Sequence, residues 1–242
     1  MAPNPKQTIA LIDLAVPGGQ GETTTRVEAA LRRLDGLTLL EWCIRRLSES
    51  TLIETIVVSG TPSQRELISQ TGLCNARWMP SPLSTPAQRA FELAERTSAD
   101  WVVFASPLCP FMDPMLLDRL ISRGWANPTT DFVGFVSPMR PTFSLQSLGL
   151  VGEMCSAGAL LKLERENLLA EPCDVPDVIR RNPSYFQTKL IPLPQELTHN
   201  ALRFQLGNEE DWDRAQSFLE AAGDDLSWQR LAQLAERNFS VR

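Results

Sequence analysis

Ala99-Asp100-Trp101-Val102-Val103-Phe104-Ala105-Ser106-Pro107-Leu108-Cys109-Pro110-Phe111-Met112-Asp113-Pro114 is an apolar, β-branched run closed by a proline-rich turn. Trp101 to Ala105 has the length and punctuation of a strand buried on both faces. Asp113 suits a helix N-cap and Pro114 the first helical position, so the stretch predicts a helix running through Arg123. Toward the N-terminus, Pro86 to Thr97 carries Ala87, Ala90, Phe91 and Ala94 at helical spacing, and Ala76 to Met79 reads as a short strand. A helix is expected from Ser63 to Gln70, after a strand from Ile53 to Val58 that Ser59-Gly60-Thr61-Pro62 closes. Leu39 to Leu47 places Leu40, Ile44 and Leu47 on one helical face, and Val27 to Leu34 reads as an amphipathic turn with Arg32 and Arg33 outward. The first element, Thr8 to Val16, is a short apolar strand ended by Pro17-Gly18-Gly19.

Strands alternating with helices at this rhythm predict βαβ units and a parallel sheet covered on both faces. Beyond Asp131 the pattern turns irregular. Strands are expected over Phe132 to Val136, Gly149 to Met154 and Tyr185 to Ile191, then a helix from Glu209 to Ala222 and a short terminal helix from Asp225 to Arg237. The expectation is an α/β fold of three αβα layers around a mixed, mostly parallel sheet. With no internal repeat, low-complexity linker or charge run, residues 1–242 are read as a single domain.

Composition bounds the function. The chain has 242 residues, 43% hydrophobic and 21% charged, enough apolar material for a full core. Its 23 Lys and Arg against 29 Asp and Glu give a net charge of -6, which disfavours general binding to nucleic acid or to an anionic membrane. No apolar run is long enough to span a bilayer, and the first residues lack the features of a secretory signal, so a cytoplasmic protein is expected. Five widely spaced cysteines (Cys43, Cys74, Cys109, Cys155, Cys173) fit neither a disulfide framework nor a zinc site and are expected to be buried thiols. The single histidine, His199, is expected in a surface loop, and no Gly-x-Ser-x-Gly nucleophile elbow accompanies it.

Pro17-Gly18-Gly19-Gln20-Gly21-Glu22-Thr23-Thr24-Thr25-Arg26 follows the first strand, where an α/β sheet presents its C-terminal edge to ligands. Backbone N–H groups at Gly18, Gly19, Gln20, Gly21 and Thr23 could converge on an anion, with Arg26 adding charge. The segment has neither the Lys-Ser/Thr ending of a P-loop nor a full Gly-x-Gly-x-x-Gly, and a ligand-free surface loop is the alternative. Glu209, Glu210, Asp211 and Asp213 suit the positive end of a helix dipole. Arg32-Arg33 and Arg180-Arg181 are expected on solvated faces.

Four stretches in order resemble the cytidylyltransferases of the spore-coat polysaccharide type, relatives of the CMP-sugar synthetases. Leu34-Asp35-Gly36-Leu37-Thr38-Leu39-Leu40-Glu41 with Ser50 to Ser59 is similar to "L-x-G-x-P-L-L-E" and "S-x-x-I-D-x-I-V-V-A-T". Ala99 to Pro114 is similar to "A-D-V-V-V-R-I-T-G-D-C-P-L-I-D-P". Gly152-Glu153-Met154-Cys155-Ser156, with Leu160, stands where the family has "V-E-V-F-S" and "A-L". Arg181-Asn182-Pro183 and Arg203-Phe204-Gln205-Leu206-Gly207-Asn208-Glu209-Glu210-Asp211 are similar to "R-N-P" and "R-L-T-V-D-T-P-E-D". The resemblance covers residues 8 to 220. It implies a glycosyltransferase-A-like (nucleotide-diphospho-sugar transferase) fold, with residues 8–125 as the nucleotide-binding half, 126–222 as the sugar and dimerisation side, and 223–242 as a C-terminal helix.

The departures fall on the chemistry. The family's two metal-binding aspartates, in "G-D-C-P" and "V-D-T", correspond to Leu108 and Gly207, and magnesium needs ordered hard ligands. The triphosphate lysine of the first loop falls on Ala29, and Pro172-Cys173-Asp174-Val175 replaces "R-E-H-V". Arg89, matching the arginine of "D-D-V-L-G-R-Y", and Arg203 remain as nucleotide-binding candidates beside the loop residues Gly18, Gly19, Gln20, Gly21, Thr23 and Arg26, the alternative for each arginine being a structural role. Nucleotidyl transfer is mostly positioning and charge neutralisation, so these losses together predict weak or absent catalysis.

The first expectation is therefore a cytidylyltransferase-like protein kept for binding, in a nucleotide-sugar or surface-polysaccharide context. CTP or a nucleotide-sugar is its ligand, a homodimer its assembly, and magnesium its cofactor only if it is active. The second is an active sugar cytidylyltransferase with a remodelled site, using Asp13, Glu22 or Glu153 as carboxylate and Arg26, Arg89 or Arg203 for phosphate. The third is a scaffold or oligomerisation module presenting Trp212, Phe218 and Trp228, whose alternative fate is packing on the chain itself.

Overall fold

The computed structural model describes residues 6–15, 26–68, 75–83, 85–138, 145–166, 168, 174–199 and 202–239. Seven strands form one sheet: β1 (Thr8–Asp13), β4 (Thr55–Ser59), β5 (Ala76–Trp78), β6 (Trp101–Ala105), β7 (Phe132–Val136), β8 (Glu153–Ser156) and β9 (Thr188–Pro192), in the order β5-β4-β1-β6-β8-β7-β9. β1 pairs in parallel with β4 and β6, and β4 in parallel with β5. β8 runs antiparallel to both β6 and β7, and β9 is parallel to β7. A two-stranded ribbon, β2 (Arg33–Leu34) with β3 (Leu37–Thr38), stands apart from this sheet. The expected mixed, mostly parallel α/β architecture is therefore present.

Alternate residues of the buried strands serve opposite faces. Ala10, Ile12, Ile56, Val58 and Val103 join a core with α1 (Arg26–Leu31), α2 (Leu39–Ser48), α5 (Pro114–Trp125), α8 (Glu209–Ala222) and α9 (Trp228–Phe239). Ile9, Leu11, Val57 and Val102 pack on the other side against α4 (Pro86–Thr97), α6 (Ala157–Arg165) and α7 (Val175–Arg181). A short helix α3 (Pro62–Ile68) follows β4. Local chemistry sets the helix starts. Thr38 and Glu41 form a reciprocal capping box on α2, while Thr85-Pro86 and Asp113-Pro114 each place a capping side chain before a first-turn proline.

Asp113 caps more than one helix. Its Oδ1 accepts the Leu116 N–H in α5, while its Oδ2 accepts the Trp228 N–H at the start of α9. Arg46 lies alongside, 6% exposed, donating to the backbone oxygens of Met112 and Leu226. Trp212 and Trp228 pack against the core and Phe218 lies within it, so the aromatics that motivated a scaffold reading are turned onto the chain's own interior.

The sequence expectations fail mainly in the second half. Gly149 to Gly152 is not strand: the chain bends at Gly149, where φ is +73°, and the strand begins only at Glu153. Residues after Ser156, expected to carry no helix, form α6, whose N-cap is the Ser156 hydroxyl accepting the Ala159 N–H. α7 was likewise unforeseen, and Leu34 belongs to the β2–β3 ribbon instead of a helical turn. β1 ends at Asp13, β9 starts at Thr188, and the last helix starts at Trp228. Cys43, Cys109 and Cys155 are buried thiols in no disulfide, and burial pushes Cys43 and Cys155 up; Cys74 and Cys173 lie outside the described residues. Among the described residues no helix is long and apolar enough to cross a membrane.

Candidate functional site

From β1 the chain proceeds to β4 and β5 on one side, then crosses through α4 to β6 on the other, so strand order reverses between β1 and β6. Ligand crevices of open α/β sheets lie at the carboxyl ends of strands at such a point. A cleft of about 720 Å³, counted out to its open mouth, occupies this place. Asp13 ends β1, Ala105 ends β6 and Glu153 starts the antiparallel β8, and all three line it with Pro86 of α4 and Asp174 and Asp177 at the start of α7.

The arginines nearest the cleft are engaged with its carboxylates. Arg89, on the buried face of α4, is 3% exposed and donates through Nε and Nη2, both at 2.9 Å, to Asp13 Oδ2, and through Nη1 to the Leu83 carbonyl. Asp13 also accepts the Ala15 N–H at 3.0 Å, which fixes the chain as it leaves the sheet. Arg180 donates from Nε to Glu153 Oε1 at 2.6 Å and from Nη2 to the Phe135 carbonyl, passing over the bare face of Gly134. A solvated Arg180 was expected; it is instead largely enclosed, because α7 lays it across β7 and β8, while Arg181 is exposed. Burial, and then the Asp174 carboxylate, raise the Asp177 carboxyl above its ordinary range, against the opposing pull of Arg181 and Arg180. Among the described residues the lining holds four carboxylates and no lysine or arginine, and two of the four, Asp13 and Glu153, are paired with Arg89 and Arg180.

Beside the cleft, the loop after β6 meets the segment before α8. Leu206 N–H donates to the Leu108 carbonyl at 2.9 Å, so the structure brings Leu108 and Gly207 to the same place. Leu108 is 5% exposed and packs in the core. At Gly207, a Cβ would stand 2.6 Å from Nη2 of Arg203, whose Nε donates to both oxygens of Asp211 at 3.0 and 2.9 Å. Asp211 in turn accepts the Gly207 N–H. Asp211 thus does more than complement a helix dipole: it is the buried partner of Arg203. The side chains at 108 and 207 do not fit a carboxylate-held magnesium ion. Among the described residues, no group of three or more His, Cys, Asp and Glu is placed to hold a metal.

Of the candidates read from sequence, Gly18, Gly19, Gln20, Gly21 and Thr23 lie outside the described residues, as does Glu22. Arg26 opens α1, and its side chain is likewise outside them. Arg89 and Arg203 take different partners: Arg89 of α4 is bound to Asp13 at the end of β1, Arg203 to Asp211 on α8. His199 is exposed, as expected. Asp177 and the largely enclosed Arg180 were missed; the Arg180 partner is set by the tertiary fold, since Glu153 lies 27 residues away.

A mostly parallel seven-stranded sheet, helices on both faces and a crevice at the strand-order reversal define an α/β nucleotidyltransferase-like protein. The chain belongs to the family of the MobA-like NTP transferase domain, whose model matches residues 17–142. A search of curated proteins finds no match. Among solved structures, a cytidylyltransferase from Leptospira borgpetersenii serovar Hardjo-bovis is similar with a TM-score of 0.76 at 20% identity, over 98% of this chain and 96% of that one. A CMP:2-keto-3-deoxy-manno-octonic acid synthetase solved with CTP aligns at TM-score 0.62 and 9% identity, over 89% of this chain and 99% of that one. The 4-diphosphocytidyl-2C-methyl-D-erythritol synthase from Anaerococcus prevotii aligns at TM-score 0.58 and 16% identity, over 89% and 96%. At these identities the structural likenesses establish the fold.

Proposed function

We propose that this chain is a cytidylyltransferase-like protein that binds a nucleotide, CTP or a nucleotide-sugar, with catalysis lost or greatly weakened, in a nucleotide-sugar or surface-polysaccharide context. The observation that carries this reading is the meeting of Leu108 and Gly207, joined through the 2.9 Å hydrogen bond from Leu206 to the Leu108 carbonyl. These positions, from separate motifs, are where the resemblance implies metal-holding carboxylates, and neither carries one. Arg89, a candidate for phosphate, is turned onto Asp13. Without the ion and its ligands, the terms that lower the barrier to nucleotidyl transfer are largely gone.

The test is pyrophosphate release from CTP, magnesium and a panel of acidic sugars, run beside calorimetric titration with the four nucleoside triphosphates. Binding without turnover is the expected result; release at an ordinary enzymatic rate overturns the reading. A second reading, an active enzyme with a remodelled site, draws support from Asp13 and Glu153 lining the same cleft. It requires turnover that Glu153→Ala or Arg26→Ala abolishes.

A further inference from the structure

The backbone does not require glycine at position 207, because φ there is outside the left-handed region that Gly36, Gly149 and Gly223 occupy. Space requires it. A Cβ would stand 2.6 Å from Arg203 Nη2, closer than nonbonded atoms come, and 3.6 Å from Asp211 Oδ2. A guanidinium therefore fills the volume into which a carboxylate at 207 would project. The arginine is firmly aimed: Nε takes both oxygens of a carboxylate that is itself 4% exposed, whereas the Arg203 side chain remains 37% exposed. This geometry holds the fork by its Nε and sets Nη2 over the bare face of Gly207, next in the chain to Leu206, whose N–H donates to the Leu108 carbonyl.

We propose that Arg203, oriented by Asp211, supplies at this edge the positive charge that a carboxylate-held divalent cation supplies in the family this chain resembles, so that nucleotide phosphate binds here without magnesium. The inference rests on the nucleotide-binding reading and deepens it by naming the cation. Three features agree with it. The two positions that would hold an ion are a buried leucine and a glycine. The arginines nearer the cleft are directed onto Asp13 and Glu153. Among the described residues the cleft lining includes no lysine or arginine, whereas the Arg203 side chain stands partly exposed at this edge. A guanidinium suits the task, since its planar fork matches two phosphate oxygens and its charge is independent of pH.

The experiment is calorimetry on the full chain with CTP, and separately with inorganic triphosphate, first in excess EDTA and then in excess magnesium. It compares wild type, Arg203→Gln and Gly207→Asp, with each variant's fold checked by circular dichroism. Wild type is expected to bind equally in both buffers, and each variant to bind about tenfold or more weakly in EDTA, since a charge-assisted hydrogen bond is lost or neutralised. Arg203→Gln removes the Nε partner of the buried Asp211; Gly207→Asp keeps both residues and sets a carboxylate against the outer end of Arg203 at an exposed position, so it decides the matter if the first variant does not fold. Wild-type binding that requires magnesium, or that neither variant weakens, overturns the inference and leaves the nucleotide reading standing. No binding of any nucleoside triphosphate in either buffer overturns both.

Discussion

Replacing Arg89 with methionine tests whether this arginine holds the fold or waits for a ligand. Arg89 is 3% exposed and Asp13 7%, with two contacts of 2.9 Å between them, so both charges sit away from water and depend on one another. Removing one partner of such a pair leaves an uncompensated buried charge and costs about 3–5 kcal/mol, whereas replacing both with uncharged groups costs much less. For a chain of this size, that translates into a fall in Tm of roughly 6–20 °C. The assay is urea unfolding followed by tryptophan fluorescence, on Arg89→Met, Asp13→Asn and the double variant. The double variant is expected to be more stable than the sum of the single changes allows, with a coupling of about 2 kcal/mol or more. A single Arg89→Met that costs less than about 1 kcal/mol, or single effects that simply add, refutes the reasoning.

Leu108→Asp, which restores one missing carboxylate, places an unpaired charge at a 5% exposed core position; it is expected to lose on the order of 3 kcal/mol in urea unfolding and to gain no pyrophosphate release. Gly149→Ala forces a φ of +73° on a residue with a side chain and drives Cβ within 2.5 Å of the Phe204 and Gln205 backbone, so a loss above about 2 kcal/mol is expected. Asp177→Asn probes the opposite sign. Because folding raises the Asp177 carboxyl above 3.8, the wild-type chain carries a penalty that is absent below that pH, grows as pH rises through the raised folded value, and is complete at neutrality. The variant is expected to melt higher than wild type at pH 7 and level with it at pH 3; a lower Tm at pH 7 contradicts the assignment.

Legibility in the sequence followed the reach of the interactions. Pro86–Thr97, Trp101–Ala105 and Phe132–Val136 match their expected bounds because period, caps and breakers all act within a few residues. β8, expected over Gly149 to Met154 and found at Glu153–Ser156, and the unexpected helix after it differ for another reason. Gly149 combines a left-handed φ with a close approach of the Phe204 and Gln205 backbone, distant in sequence, and Ser156 serves both as the last strand residue and as an N-cap. At the site, motif order foretold that residues near 108 and 207 matter. The hydrogen bond joining those segments spans almost a hundred residues, and no local pattern announces it. Nor does the pairing of Arg203 with Asp211 follow from the acidic run at Glu209, which reads equally well as dipole chemistry.

Asp113, shared between the helices at Pro114 and Trp228, gives synthesis of the chain a built-in order of events. Its first bond, to Leu116, can form as soon as that helix leaves the ribosome. The second waits until Trp228 has emerged, 115 residues after the aspartate. Through that interval Arg46 lacks the Leu226 carbonyl, and the surface that Leu231, Ala232, Leu234 and Ala235 will cover stays wet. The nascent chain is therefore expected to be sticky and protease-sensitive until its last helix docks, and a stop codon ahead of Trp228 should send the product to chaperones even though the whole sheet has been translated.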